Sequence, residues 1–374
     1  MTALDQESER REQRQTTARR LPALDGLRGV AALVVVMNHV VFTSAVVADA
    51  FVDPSAGHNW LATSSPLRLL FAGGEAVSTF FILSGLVLTL PFLDGGSWRR
   101  YYASRFLRLY LPVWAAVGLS VAQFHLIHRP AGGRDGFWME AHAHQTIGMV
   151  ARDLILVRGT NDSVLWSLQW EVIFSLLLPA FVFFGTRWRR GAVPKAVLCL
   201  LLIRAGGNHF AALRYLPMFA LGVLIAVERD RLVLIALRFS RGLSRLLLCL
   251  ALVLVMTPWI APKASSFLPV HLAGLDASVV GCALIVALFA CDPTTAGLTT
   301  GPIAQWLGRR SYSLYLVHEA LVVSVAVLTH NLALTLVIGV PLALLASDLF
   351  YRFVEGPSHR LAQRVGRRVA ASTQ

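Results

Sequence analysis

Apolar residues run in long blocks along this 374-residue chain, broken by short segments rich in charge, Gly and Pro. Ten blocks stand out, at 27–47, 72–92, 106–127, 165–185, 192–205, 211–228, 245–261, 272–291, 311–330 and 332–353. Most hold about 18–22 residues, the length a helix needs to cross roughly 30 Å of hydrocarbon. The fifth is short and the eighth carries Asp276, so these two are the weakest spans. No alternating pattern of membrane strands is present. The expected fold is all-α: a polytopic membrane bundle of about ten helices.

Composition agrees. With 56% hydrophobic residues and a mean hydropathy of +0.61, the chain is too apolar for a soluble domain of this size. The net charge of +13 invites a nucleic-acid reading, but its placement opposes one. With the N-terminus inside, 26 of the 34 Lys and Arg fall on the cytoplasmic side and 8 outside. That asymmetry is a topology signal, and it puts both termini in the cytoplasm. The expected location is therefore a bacterial plasma (inner) membrane, with lipid and not nucleic acid as the bulk partner.

Residues 1–20 are charged and aperiodic and read as a disordered cytoplasmic leader; 21–358 form the membrane domain and 359–374 a basic cytoplasmic tail. No appended soluble domain is expected. The longest break, about 128–164, reads as the main external segment. His125, His128, His142 and His144 lie in or beside it, but their spacing fits no structural zinc site, and no metal is expected. The four cysteines lie within or at the ends of spans without CxxC spacing and read as small apolar residues.

Ionisable groups inside a span are costly and mark functional candidates. Arg28 and His39, eleven residues apart, share one helix face about 16 Å apart along the axis. Arg105 and Arg108 stand at i and i+3 near the start of the third span, two guanidinium forks on neighbouring positions. Glu171 lies near the start of the fourth. Ser311, Tyr315 and His318 line one face of the ninth.

Six segments, in order, resemble the acyltransferase-3 family of integral membrane acyltransferases in its stand-alone form. They are Leu24-Asp25-Gly26-Leu27-Arg28-Gly29 with His39; Gly74 to Gly85; Arg105-Phe106-Leu107-Arg108-Leu109-Tyr110-Leu111-Pro112; Trp166-Ser167-Leu168-Gln169-Trp170-Glu171; Ser311 to His318; and Tyr351 to Pro357. Each alone is weak; their order over residues 21–358 is what carries the likeness. One departure is Val172-Ile173-Phe174-Ser175 after Glu171, which lacks a tyrosine common in the family.

The resemblance implies transfer of an acyl group, most often acetyl, from acyl-CoA to a hydroxyl of a glycan or glycosylated small molecule. Acyl-CoA is then a donor substrate, and no permanently bound cofactor is expected. His39 is the expected general base, because an imidazole has a near-neutral pKa and general-base help is typically worth about 10²–10⁴-fold. Arg105 and Arg108 fit donor phosphates, or else anchor the helix at headgroups. Arg28 either joins them or braces Asp25. Glu171 either orients His39, contacts the acceptor, or ties two helices together. Trp166 is an interface anchor or a platform for a sugar ring. His318-Glu319 suggests a triad with Ser84 or Ser311, but no Gly-x-Ser-x-Gly elbow supports a serine nucleophile. The competing class is a transporter or flippase of a polar or glycosylated substrate, which predicts paired broken helices in inverted repeats; no such pairing is evident.

Overall fold

The computed structural model describes residues 21–52, 64–127, 136–157, 164–187, 191–207, 209–260 and 270–371. The leader at 1–20, His128 and four of the eight outer basic residues (Arg129, Arg134, Arg158 and Lys263) lie outside them. Every described regular element is helical. In chain order they are α1 (Pro22–Phe42), α2 (Ala45–Val52), α3 (Gly73–Leu93), α4 (Trp98–Leu126), α5 (Gly136–Ala141), α6 (Ile147–Leu154) and α7 (Leu165–Thr186). There follow α8 (Ala192–Gly206), α9 (Ala211–Val227), α10 (Arg229–Ala236), α11 (Arg241–Ile260), α12 (Val270–Cys291) and α13 (Pro302–Thr329). The chain closes with α14 (Val340–Phe350) and α15 (Gly356–Ala371), each preceded by a π-helical turn, Thr335–Gly339 and Tyr351–Glu355.

Local chemistry sets the boundaries. Pro22 and Pro302 occupy first-turn positions, where a missing N–H costs nothing. Ser97 caps α4 through the Arg100 amide, and Thr146 caps α6 through Met149. Asp292 accepts the Thr295 amide at 2.9 Å where the chain turns 90° after α12.

Among the described residues, seven helical stretches are long and apolar enough to cross a membrane, and up to nine if two bent pairs each count as one span. This is fewer than the ten expected. The fifth block forms α8, whose 15 residues reach about 22 Å and so fall short of roughly 30 Å. The sixth is broken by 67° between α9 and α10, while the eighth forms the 22-residue α12 and the chain bends by 90° only after it. Asp276 in α12 pairs with Arg204 of α8 at 3.1 Å, which is how a carboxylate is kept in an apolar helix.

Helix α13 is the hub. In its apolar window 67% of residues are buried, against at most 50% in any other candidate span. It packs mainly on α1, α14 and α4. The approach to α1 is backbone to backbone: a Cβ on Gly29 would lie 2.5 Å from the Gly308 nitrogen, and one on Gly308 2.2 Å from the Asp25 carbonyl. Gly85 of α3 and Gly222 of α9 make a second crossing of this kind. The segment read as a basic tail is, through Ala371, the helix α15, which packs against α4; Gly366 sits beside Arg100 and Ser104.

Candidate active site

Helices α1 and α13 run parallel from the glycine contact. Ten residues beyond Gly29 and ten beyond Gly308, His39 and His318 meet, with Nδ1 of His39 2.7 Å from Nε2 of His318. The hydrogen-bond network assigns the protons. Nδ1 of His318 lies 2.9 Å from the Leu314 carbonyl, which can only accept. That nitrogen therefore carries the hydrogen, and Nε2 of neutral His318 accepts from Nδ1–H of His39. What remains on His39 is the Nε2 lone pair. A fixed tautomer with one free basic nitrogen is the form a general base requires. His318 is fully buried and His39 half-buried.

A second set of groups surrounds this pair. The Trp138 indole of α5 stacks on the His39 ring, with centroids 5.5 Å apart and planes 15° from parallel. His142 donates from Nδ1 to the Trp138 carbonyl at 2.7 Å, and its Nε2 meets the Glu319 Oε1 oxygen. The other oxygen of Glu319 accepts the Val164 amide at 3.0 Å, just before α7.

On the Arg28 side of α1 lies a cavity of about 130 Å³ whose walls include Arg28, Arg105, Arg108, Glu171, Tyr312 and Glu355. Asp25, Arg309 and His359 also face it, so four arginines stand against three carboxylates. Arg105 is tied to Glu171 and donates from Nε to Ser175 at 3.1 Å. Glu355 accepts the Ser313 hydroxyl at 2.5 Å and its amide at 3.1 Å. Among the described residues Arg28 and Arg108 make no ion pair or hydrogen bond, and their guanidinium forks face the cavity alongside the carboxylates of Glu171 and Glu355. Such forks are suited to phosphate.

A smaller cavity of about 40 Å³ shares Arg28, Glu171, Ser311 and Tyr312 with the first and extends to Ser167 and Tyr315. The Tyr315 hydroxyl lies 2.7 Å from the Ser167 hydroxyl, and its ring is 6.0 Å from that of His318. The two cavities thus adjoin, and the second, walled by Phe80, Phe81 and Leu168 as well as these polar groups, leads from the arginines towards the histidine pair.

The acyltransferase-3 family profile, described as an acyltransferase domain, matches residues 21–352. The chain belongs to that family. It is also 26% identical over 294 residues to Nodulation protein 10 of Rhizobium leguminosarum bv. viciae, covering 70% of this chain and 76% of that relative. No solved structure matches it significantly. Family and apolar helices together make it a multi-pass membrane acyltransferase.

Against this background the residues singled out in the sequence fall into two groups. Arg28, Arg105, Arg108, Glu171 and Ser311 gather at the first cavity, while His39, His318 and Tyr315 gather beyond the second. Glu171 does not meet His39; its carboxylate is held by Arg105 and by Ser84 at 3.2 Å. Ser84, a triad candidate in the sequence, donates to Glu171 instead, and its neighbour Gly85 makes the close helix contact. Ser311 bonds back to Gly308 at 2.9 Å within its own helix. Trp166 packs against Phe81 and Tyr215 in an aromatic cluster. Glu355 binds Ser313, while Arg352 pairs with Asp348 at 2.7 Å. Sequence reasoning missed Trp138, His142 and Glu319 as a group around His39. A carboxylate buried in mid-span was the available signal, since it demands a partner.

Proposed function

We propose that this protein is an acyl-CoA-dependent O-acyltransferase, with acetyl as the default acyl group and a hydroxyl of a glycan or glycosylated small molecule as acceptor. The observation that carries the reading is the His318–His39 hydrogen bond, which leaves Nε2 of His39 basic beyond two adjoining cavities that begin at the arginines. On this reading Arg28, Arg108 and the Glu171-braced Arg105 bind the phosphates of the donor. The pantetheine arm reaches past Ser311 and Tyr315 towards His39.

The chemistry balances on one nitrogen. Nε2 of His39 takes the proton from the acceptor hydroxyl as its oxygen adds to the thioester carbonyl. The carbon–sulfur bond then breaks, and the proton on His39 passes to the departing CoA thiolate. While the imidazole is protonated, its Nδ1–H bond to His318 spreads the charge over two rings. A route in which Nε2 first carries the acyl group uses the same atom and the same partner. General-base help of this kind accounts for about 10²–10⁴-fold in rate. The location that suits a CoA donor and the bias of basic residues is a bacterial inner membrane, with the arginine cavity open to the cytoplasm.

The test is purified protein in detergent with radiolabelled acetyl-CoA, reading free CoA, with His39→Ala in parallel. CoA release that disappears in His39→Ala supports the donor and the base together. A His39→Ala protein that transfers acyl groups at the native rate sinks the assignment. Absence of both release and CoA binding by titration removes acyl-CoA as the donor.

A further inference from the structure

His39 is bonded on one side to His318, but its ring is also covered by a segment from outside the long helices. That cover is Trp138, whose side chain is buried among Met139, Val323, Ala326, Phe42 and Val327. The indole comes from a six-residue helix, too short to be stable alone, so its place over His39 depends on what ties it down. The tie is Glu319. Its two carboxylate oxygens reach different parts of the outer segment: one meets His142, which itself donates to the Trp138 carbonyl, and the other takes the Val164 amide. Glu319 is the residue after His318, so the same turn of α13 that fixes the tautomer of His39 also fastens its cover.

We propose that α5, which bears Trp138, is a latched cover over His39, with Glu319 and His142 as the latch, and that it keeps water from the donor thioester until an acceptor displaces it. The proposal rests on the acyltransferase reading of His39. A thioester next to an activated base is open to water. Water would add to the carbonyl carbon, the carbon–sulfur bond would break, and the proton taken by His39 would pass to the CoA thiolate, giving free acid and CoA. Excluding water until the second substrate binds is the recurrent use of covers at transferase sites. Charge-assisted bonds to a buried carboxylate are strong enough to hold the closed form and few enough to be broken together.

The test uses the full chain in detergent and two readouts. The first is labelling of His39 by diethyl pyrocarbonate, followed by mass spectrometry, with buried His318 as the internal reference. The second is CoA release from acetyl-CoA without acceptor. Glu319→Gln and Trp138→Ala are expected to raise His39 labelling and acceptor-free release roughly tenfold, and Trp138→Phe to keep both near the native level. Because Glu319→Gln also disturbs α13, Trp138→Ala is the deciding variant. Unchanged His39 labelling in Trp138→Ala overturns the cover. Raised labelling with unchanged release, in a protein whose native form releases CoA, overturns its role against water. If labelling rises while neither native nor variant protein releases CoA, a CoA titration decides: without binding the acyl-CoA reading of His39 fails and the cover stands, and with binding the cover's role against water is overturned.

Discussion

His39 and His318 meet at 2.7 Å because Gly29 and Gly308 touch ten residues earlier on the same two parallel helices. One backbone contact sets the register of α1 on α13, and about 15 Å of helix carries that register to the histidines. Helices with small residues at the crossing come close enough for short side chains to hydrogen-bond.

If His318 selects the tautomer of His39, then removing its acceptor nitrogen harms catalysis without harming donor binding. His318→Phe is expected to lower kcat by roughly 10²–10⁴-fold and leave the Kd for CoA within a factor of two, about the scatter of a titration. Steady-state kinetics with a CoA titration reads both. Native kcat in His318→Phe removes the relay.

Arg28 and Arg108 line the first cavity and make no ion pair or hydrogen bond among the described residues. Each loss of a charge-assisted contact should weaken CoA binding by roughly 10–100-fold. Arg28→Gln and Arg108→Gln are therefore expected to raise the Kd by calorimetry, and to flatten its dependence on salt. A wild-type Kd in both variants places the donor phosphates elsewhere.

Arg105 and Glu171 form a pair in which each partner compensates the other. Arg105→Gln alone leaves a carboxylate unpaired in the bundle, with an expected loss of about 3–5 kcal/mol, whereas Arg105→Met with Glu171→Met recovers much of it. Thermal unfolding in detergent gives the order of the three. A double variant no more stable than Arg105→Gln overturns the mutual compensation.

Gly308 has no room for a side chain, since its Cβ would sit 2.2 Å from the Asp25 carbonyl, whereas Gly118 of α4 faces open space. Gly308→Val is expected to cost about 1–3 kcal/mol through overpacking, and to lower activity by parting the histidines. Gly118→Ala is expected to leave the midpoint of thermal unfolding and the activity near native values. Equal behaviour of the two variants rules out the glycine contact as the source of the register.

Much of the candidate site was legible as a set of exceptions to hydrophobicity. Arg28, His39, Arg105, Arg108, Glu171 and His318 stand out because a charged or polar group inside an apolar run is expensive. Their pairing was not legible. Glu171 looked as near to His39 as to any arginine, and only the packing of α4 on α7 gives it to Arg105. His142 looked like a member of a histidine-rich loop, and only the fold brings it to a carboxylate 177 residues away.

The sequence alone determined the class of the protein, since the length and apolarity of each block are local properties that decide whether a segment favours lipid. It also determined which residues were candidates for chemistry. The tertiary structure decided the number of unbroken crossings, where α8 is too short and the sixth span is broken between α9 and α10. It decided as well which candidates share a proton or a charge. Those relations depend on helix register and on contacts between residues up to 279 positions apart, such as His39 and His318. No local pattern encodes them, because they arise only when particular faces of separate helices are pressed together.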